Sequence, residues 1–400
     1  MRYDMVFEGG GAKGMAFVGA VAELLNAGHS HDRLLGTSAG AITATLLAAG
    51  YTVDEMNAAL MEKENGQPVF AGFMGEPEEF TDAEIEKGGT LALLRNLDLS
   101  LVPKFLEDRM DRQVARALAR GGKSRHLVAL VERGGWFAAR RFLTWMSAKL
   151  DAGKRPDGTP RNYSGMSLKQ FHDATGVDLS MVASDTTDSR LLVLNHRTAP
   201  DCPVVYAVRM SMSIPLVWNE VSWRPEWGSY RGRDIAGHGV VDGGMLSNFP
   251  LELFISGEPQ VTKVMGPKQN TPVLGLMIDE ALEVPGAAPD ASAKPPSALA
   301  EFALVTRIGR LIDTATTAHD KRVIEEHGEL IVRLPAKGFG TTEFDMSEAR
   351  RNALVEAARE SMRSWLATAP RVVPPKAFGP GAPATKASRR ADAIALDLLD

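Results

Sequence analysis

The 400-residue chain holds one cysteine, Cys202, so it cannot build an internal disulfide framework or a multi-cysteine zinc or iron–sulfur centre. It has no surplus of basic charge: 45 Lys and Arg stand against 50 Asp and Glu, a net charge of -5. That balance argues against a protein that coats nucleic acid, and no nucleic-acid partner is expected. Long apolar runs are missing as well. Leu34–Val53 carries no charge over a membrane-spanning length, but Gly36, Gly40, Gly50, Ser38 and four threonines interrupt it. It reads as a buried strand, turn and helix. The opening stretch MRYDMVFEGGGAKG puts Asp4, Glu8 and a glycine turn where a signal peptide needs a basic and then an apolar region. The expected location is therefore the cytoplasm, with peripheral membrane association or export by a non-Sec route left open.

What is present fits a globular α/β protein, with 44% hydrophobic and 24% charged residues. A β-rich run at Tyr3–Phe7, a glycine loop and a helix from Met15 to Ala27 come first. An apolar run at Arg33–Leu35, a turn and a helix from Ala39 to Ala49 follow. That alternation predicts a mostly parallel sheet covered by helices. Further strands are expected at Met181–Ser184, Leu191–Asn195, Val240–Asp242, Val273–Ile278 and Leu330–Leu334. Helices are expected at Lys104–Ala119, Leu168–Thr175, Ser297–Glu326 and Ser347–Ala369. Glu283–Pro296 reads as a surface loop, and the Pro- and Ala-rich stretch after Pro370 as a linker to a short helix at Ala391–Leu399. One domain over 1–370 is expected, with its core in about 1–256 and 270–335, an insertion at 104–155, and a tail at 371–400.

The insertion is compositionally odd. Arg116–Arg155 holds ten basic residues against Glu132 and Asp151, with Trp136, Phe137, Phe142 and Trp145 among them. Such a mixture suits contact with an anionic lipid surface, or else a helical insertion that packs its aromatics inward.

Three short motifs carry chemistry. Gly9-Gly10-Gly11-Ala12-Lys13-Gly14 lies between a predicted strand and a helix. Backbone amides there can hold a pyrophosphate, with Asp32 as a candidate ribose-binding acid, or line an oxyanion hole. Gly36-Thr37-Ser38-Ala39-Gly40 decides between them, because G-x-S-x-G between an apolar run and a helix is the setting of a nucleophile elbow. Ser38 needs a base. His319 and His327 fall in a predicted exposed helix and just beyond it without a distinguishing loop context, and His29 and His31 lie in the turn before the elbow strand, whereas Val240-Val241-Asp242-Gly243-Gly244 delivers a carboxylate to a strand end beside two glycines.

Together these residues resemble the patatin-like phospholipase family, serine acyl hydrolases with a Ser–Asp dyad and no catalytic histidine. The resemblance covers about Met1–Ser256. It includes Ser211-Met212-Ser213-Ile214-Pro215, similar to the family's S-x-S-x-P segment, and the Asn248 and Pro250 that follow Asp242-Gly243-Gly244. Lys13 stands where many members have arginine. The resemblance implies a three-layer α/β/α fold with a central, mostly parallel sheet and a helical insertion. It implies Ser38 as nucleophile, Asp242 as base, Gly9–Gly14 as oxyanion loop, and Gly36, Thr37, Ala39 and Gly40 as the elbow. Gly243, Gly244, Asn248, Ser211 and Ser213 would support them. It further implies hydrolysis of phospholipid or lysophospholipid acyl esters at a membrane surface without metal or cofactor. A soluble esterase for small acyl esters and a non-enzymatic nucleotide-binding or scaffold module are the rival expectations, and an activating partner is open.

Overall fold

A computed structural model describes residues 1–95, 104–155, 157–287, 327–368 and 386–399. Among the described residues the central sheet has eight strands: β1 (Arg2–Phe7), β2 (Ser30–Thr37), β3 (Leu179–Asp185), β4 (Arg190–Leu194), β5 (Val221–Ser222), β6 (Gly239–Asp242), β7 (Val273–Asp279) and β8 (Ile331–Pro335). Its order runs β8-β7-β1-β2-β3, all neighbours parallel, and then continues through antiparallel β6 and β5.

Alternation along the strands builds two cores. Tyr3, Met5 and Phe7 of β1, Leu34 of β2 and Met181 and Ala183 of β3 face the larger core. Val6, Leu35 and Val182 face the smaller one. The period of two in a strand sends successive side chains to opposite faces, so a sheet that is apolar on both must be covered on both. On the larger side lie α1 (Ala16–Asn26), α2 (Ala39–Ala48), α3 (Arg140–Asp151), α4 (Val204–Ser211) and α5 (Glu348–Thr368). On the smaller side, Phe249–Ile255 and α6 (Lys386–Asp397) complete a three-layer α/β/α fold. The helix expected at Ala391–Leu399 thus belongs to this layer, with Ala391, Ala395 and Leu399 buried. The helix expected at Ser297–Glu326 lies outside the described residues.

The junction of β3 matters most. β4 pairs along one edge of β3, from Met181 to Asp185. On the opposite edge β2 pairs with Leu179–Val182 and β6 with Ala183–Asp185. Because β2 is parallel to β3 and β6 antiparallel, the two strands meet head-on: Thr37 sits opposite Val182, and Asp242 opposite Ala183.

The insertion corrects an expectation. Trp136 and Phe137 are not helical; they form a short strand, Gly135–Phe137, paired with Leu216–Trp218. Trp136, Phe137, Phe142 and Trp145 are all buried in the larger core, so none of the four is a membrane contact. The basic stretch is also largely neutralised. Arg116 and Arg120 pair with Asp82, Arg133 with Glu84, Arg140 with Glu78 and Lys149 with Glu62. The counter-charges come from a segment tens of residues earlier, which a local charge count cannot register. Among the described residues no helix is long and apolar enough to cross a membrane.

Candidate active site

The chain leaves β2 through a sharp turn at Ser38, whose φ of 52° and ψ of -120° are unusual for a residue with a Cβ. Close packing enforces the turn: a Cβ on Gly40 would lie 2.4 Å from the Phe7 carbonyl oxygen. The Ser38 amide donates to Ser211 Oγ at 3.0 Å, and its carbonyl accepts from Ala41 and Ile42 in the first turn of α2. The side chain therefore stands at the N-terminus of α2, where the helix field favours negative charge. Gly36 and Thr37 end β2 beneath it, and Ala39 lines the adjoining cavity.

Asp242 reaches the same place from β6. Its amide donates to the Ser213 carbonyl at 2.9 Å, and its Oδ1 accepts from the Gly244 amide at 2.8 Å. Among the described residues its Oδ2 has no partner in full hydrogen-bond geometry, though the Ser38 hydroxyl lies close enough to act on the carboxyl. Burial pushes the carboxyl up to about 7, against smaller lowering effects of the Ser38 hydroxyl and the Gly244 amide. A carboxyl that ionises near neutrality is a suitable proton acceptor for a serine hydroxyl.

The segment after α4 ties the two halves together. Ser211 receives the Ser38 amide while the Ser213 carbonyl receives that of Asp242. The Ser213 hydroxyl is itself held by Arg209, whose guanidinium donates to it and, at 2.7 Å, to the Asn219 carbonyl. Burial lowers the Arg209 pKa to about 10.

The glycine loop follows β1. Gly11 takes a φ of 54°, a value that glycine adopts without penalty, and a Cβ there would strike the Thr341 carbonyl at 2.1 Å. Three of the loop's amides are engaged: Gly9 donates to Asn248, Ala12 to Thr341 and Lys13 to Gly10. Gly14 lies within the 3₁₀ turn Gly11–Met15. Among the described residues the amides of Gly10 and Gly11 meet no acceptor. Lys13 Nζ pairs with Glu280 rather than entering the site. Asn248 donates to Glu8 Oε1 and to the Gly9 carbonyl, both at 3.1 Å, so it pins the glycine loop to the chain that leaves Asp242.

Glu8, Arg209 and Thr341 were missed in the sequence. Glu8, buried immediately after β1, also accepts the Ile278 amide at 2.5 Å. An acid between an apolar strand and a glycine loop was the available signal. Thr341 lies beyond the expected core, and nothing local marks it. Asp32, the candidate ribose acid, pairs with Arg2 at 2.7 Å at the opposite end of the sheet from the glycine loop. His29 and His31 share that end, and His327 precedes β8, three strands from β2. His319 lies outside the described residues. A possible metal-ligand group, Asp185, Asp188 and His238, has its atoms committed to one another and to Arg233.

From Ser38 an apolar cavity runs along α2. Its walls include Met15, Ile42, Leu46, Phe73 and Trp218. A serine hydroxyl at the rim of such a cavity suits an apolar ligand.

The profile of the patatin-like phospholipase family matches residues 5–255. The Bacillus subtilis (strain 168) protein YqhO is 27% identical over 374 residues, spanning 92% of this chain and 98% of its own. Among solved structures, VipD from Legionella pneumophila aligns with 92% of this chain and 67% of its own at 15% identity and a TM-score of 0.45. ExoU, solved in complex with SpcU from the type III secretion system of Pseudomonas aeruginosa, aligns with 91% of this chain and 52% of its own, at 19% identity and a TM-score of 0.35. On the family match, the chain belongs to the patatin-like phospholipases, a family of lipid acyl hydrolases.

Proposed function

We propose that the chain cleaves fatty-acyl esters of phospholipids or lysophospholipids through a Ser38–Asp242 dyad. The observation that supports this best is the buried Asp242 carboxyl, pushed up to about 7, next to a strained Ser38 at the mouth of an apolar cavity. Ser38 Oγ attacks the ester carbonyl carbon while Asp242 takes the hydroxyl proton. The carbonyl π electrons move to oxygen, and the Gly10 and Gly11 amides hold the resulting oxyanion. Collapse expels the alcohol, which takes the proton from Asp242 and leaves an acyl-serine. Water then attacks, Asp242 accepts its proton, and the second collapse returns that proton to Ser38 as the fatty acid departs.

In this reading the catalytic unit is the chain through about 370, with 104–155 its insertion. The substrate is met at a membrane surface from the cytoplasmic side. Met245 and Leu246, each 43% exposed and three and four residues past Asp242, replace the insertion aromatics as lipid contacts. The test is release of fatty acid from phosphatidylcholine and lysophosphatidylcholine vesicles in excess chelator, comparing the parent with Ser38→Ala and Asp242→Asn. Loss of release in both variants, with chelator having no effect, is expected. Release that survives Asp242→Asn refutes the dyad. A small-ester hydrolase instead shows no rate increase when its substrate aggregates.

A further inference from the structure

Three consecutive glycines, Gly9 to Gly11, give the loop after β1 little conformational restraint of its own. Its amides keep one direction only if the loop is held from outside at both ends. At the first end the Gly9 amide donates to the Asn248 carbonyl at 3.1 Å. At the second the Ala12 amide donates to the Thr341 carbonyl at 2.8 Å. Thr341 lies in the connection from β8 to α5, far along the chain from every motif of the site. Whatever fixes Thr341 therefore bears on the glycine loop.

Two side chains fix it. Arg350, in the first turn of α5, is buried and grips Glu343 with two donors: Nε to Oε1 at 2.8 Å and Nη2 to Oε2 at 3.2 Å. A forked pair of this kind sets direction as well as distance. Nη2 also donates to the Gly338 carbonyl at 2.8 Å, and the guanidinium lies over the Phe339 ring, 4.1 Å from its centroid. Glu343 Oε2 accepts the Gly340 amide at 3.0 Å. One ion pair thus holds Gly338, Phe339 and Gly340, the residues that lead into Thr341. The helix that carries Arg350 is itself pressed onto α1, where a Cβ on Gly19 would strike the Val355 carbonyl. Because the glycine loop runs through the turn Gly11–Met15 into α1, these contacts close a ring from α1 through α5, Arg350, Glu343 and Thr341 back to Ala12. Phe344, which lines the cavity with Ser38, is held separately, edge-on to Trp218 with ring centroids 5.7 Å apart.

We propose that Glu343 and Arg350 are positioning residues for the oxyanion hole. They hold the Thr341 carbonyl, which orients the Ala12 amide and, through the adjoining peptide planes, the amides of Gly10 and Gly11. This rests on the ester-hydrolase reading above. Neither side chain touches the substrate. Freed from the pair, the loop samples orientations in which the two amides miss the developing oxyanion, so the loss falls on the transition state and spares substrate binding.

The test uses the full chain, lysophosphatidylcholine and p-nitrophenyl butyrate as substrates, and an alkyl trifluoromethyl ketone as a probe of the oxyanion hole. Ser38 Oγ adds to the ketone carbon as its proton passes to Asp242, and the carbonyl electrons settle on an oxygen that needs the same amides. Glu343→Gln and Arg350→Lys are expected to lower kcat about 10- to 100-fold, with KM within about twofold and the midpoint of the pH profile unmoved. Ketone affinity should fall by the same factor as kcat/KM, while the matching secondary alcohol, which forms no oxyanion, binds as to the parent. Glu348→Gln, which breaks the exposed pair with Lys63 on the same helix, should leave kcat and ketone affinity unchanged. Undiminished kcat in folded Glu343→Gln protein overturns the positioning role. So does a loss explained wholly by fewer titratable sites, each with parental ketone affinity. Should Arg350→Lys fail to fold, Glu343→Gln, which keeps the shape of the side chain, decides by the same criteria. Hydrolysis that persists in Ser38→Ala instead refutes the ester-hydrolase reading and the positioning role with it.

Discussion

Replacing Asp242 with asparagine should stabilise the protein as it abolishes turnover, and the size of the gain should depend on pH. The carboxyl's ordinary value is 3.8, and burial pushes it up to about 7 in the fold. Between those values the folded state holds a proton that the unfolded state has released. Stability therefore falls as pH rises from about 4 to 7 and levels off above. At about 1.4 kcal/mol per pH unit the shift amounts to about 4 kcal/mol at pH 8. Asparagine removes that cost: its amide oxygen can still accept from Gly244, and its uncharged amide replaces the buried Oδ2. For 400 residues the gain corresponds to about 5 °C in Tm. Thermal and urea denaturation of parent and variant from pH 4 to 9 check this. The curves should converge near pH 4 and separate progressively to pH 8. In the parent, kcat/KM should rise with pH through an apparent pKa near 7, since only the ionised carboxyl accepts the serine proton. A constant stability difference across the range, or a variant less stable at pH 8, would refute the reasoning.

Three further outcomes follow from other parts of the site and frame. Ser38→Gly relieves the positive φ of the elbow and should raise stability by about 1 kcal/mol while eliminating ester hydrolysis; equilibrium unfolding and a turnover assay measure the two effects. Ser211→Ala deprives the Ser38 amide of its acceptor and should cost about 1–3 kcal/mol. It should lower kcat with little change in KM or in the pH profile, whereas a change confined to KM would count against a positioning role. Arg33→Met leaves the buried Asp4 carboxylate unpaired at the end of the sheet away from Ser38 and should cost about 3–5 kcal/mol. Turnover per folded molecule should hold, and adding Asp4→Asn should restore most of the stability.

The strand, glycine loop and helix from Arg2 to Ala48, and the strand that delivers Asp242, are legible because local rules write them. Period-two apolar residues make strands, glycines permit tight turns and close crossings, and a serine between Gly36 and Gly40 signals an elbow. Local rules fail for the insertion. Trp136 and Trp145 beside clustered arginines have the composition of a lipid-binding surface, yet their environment is set by Glu62, Glu78 and Asp82 and by a strand at Leu216–Trp218. Burial and charge pairing are sums over the whole chain, and a window of the sequence holds only part of the sum.

The proposed Ser38–Asp242 dyad marks the same boundary. By itself the sequence determined that Ser38 would stand on a strained turn and that Asp242 would end a strand beside two glycines, because both depend on neighbours in the chain. Only the tertiary structure decided that the two would meet. They do so because β2 and β6 approach head-on along one edge of β3, and because Ser211 and Ser213 grip both turns. The proton affinity of Asp242 was decided there as well, since desolvation is a property of the folded interior and not of any residue in the chain.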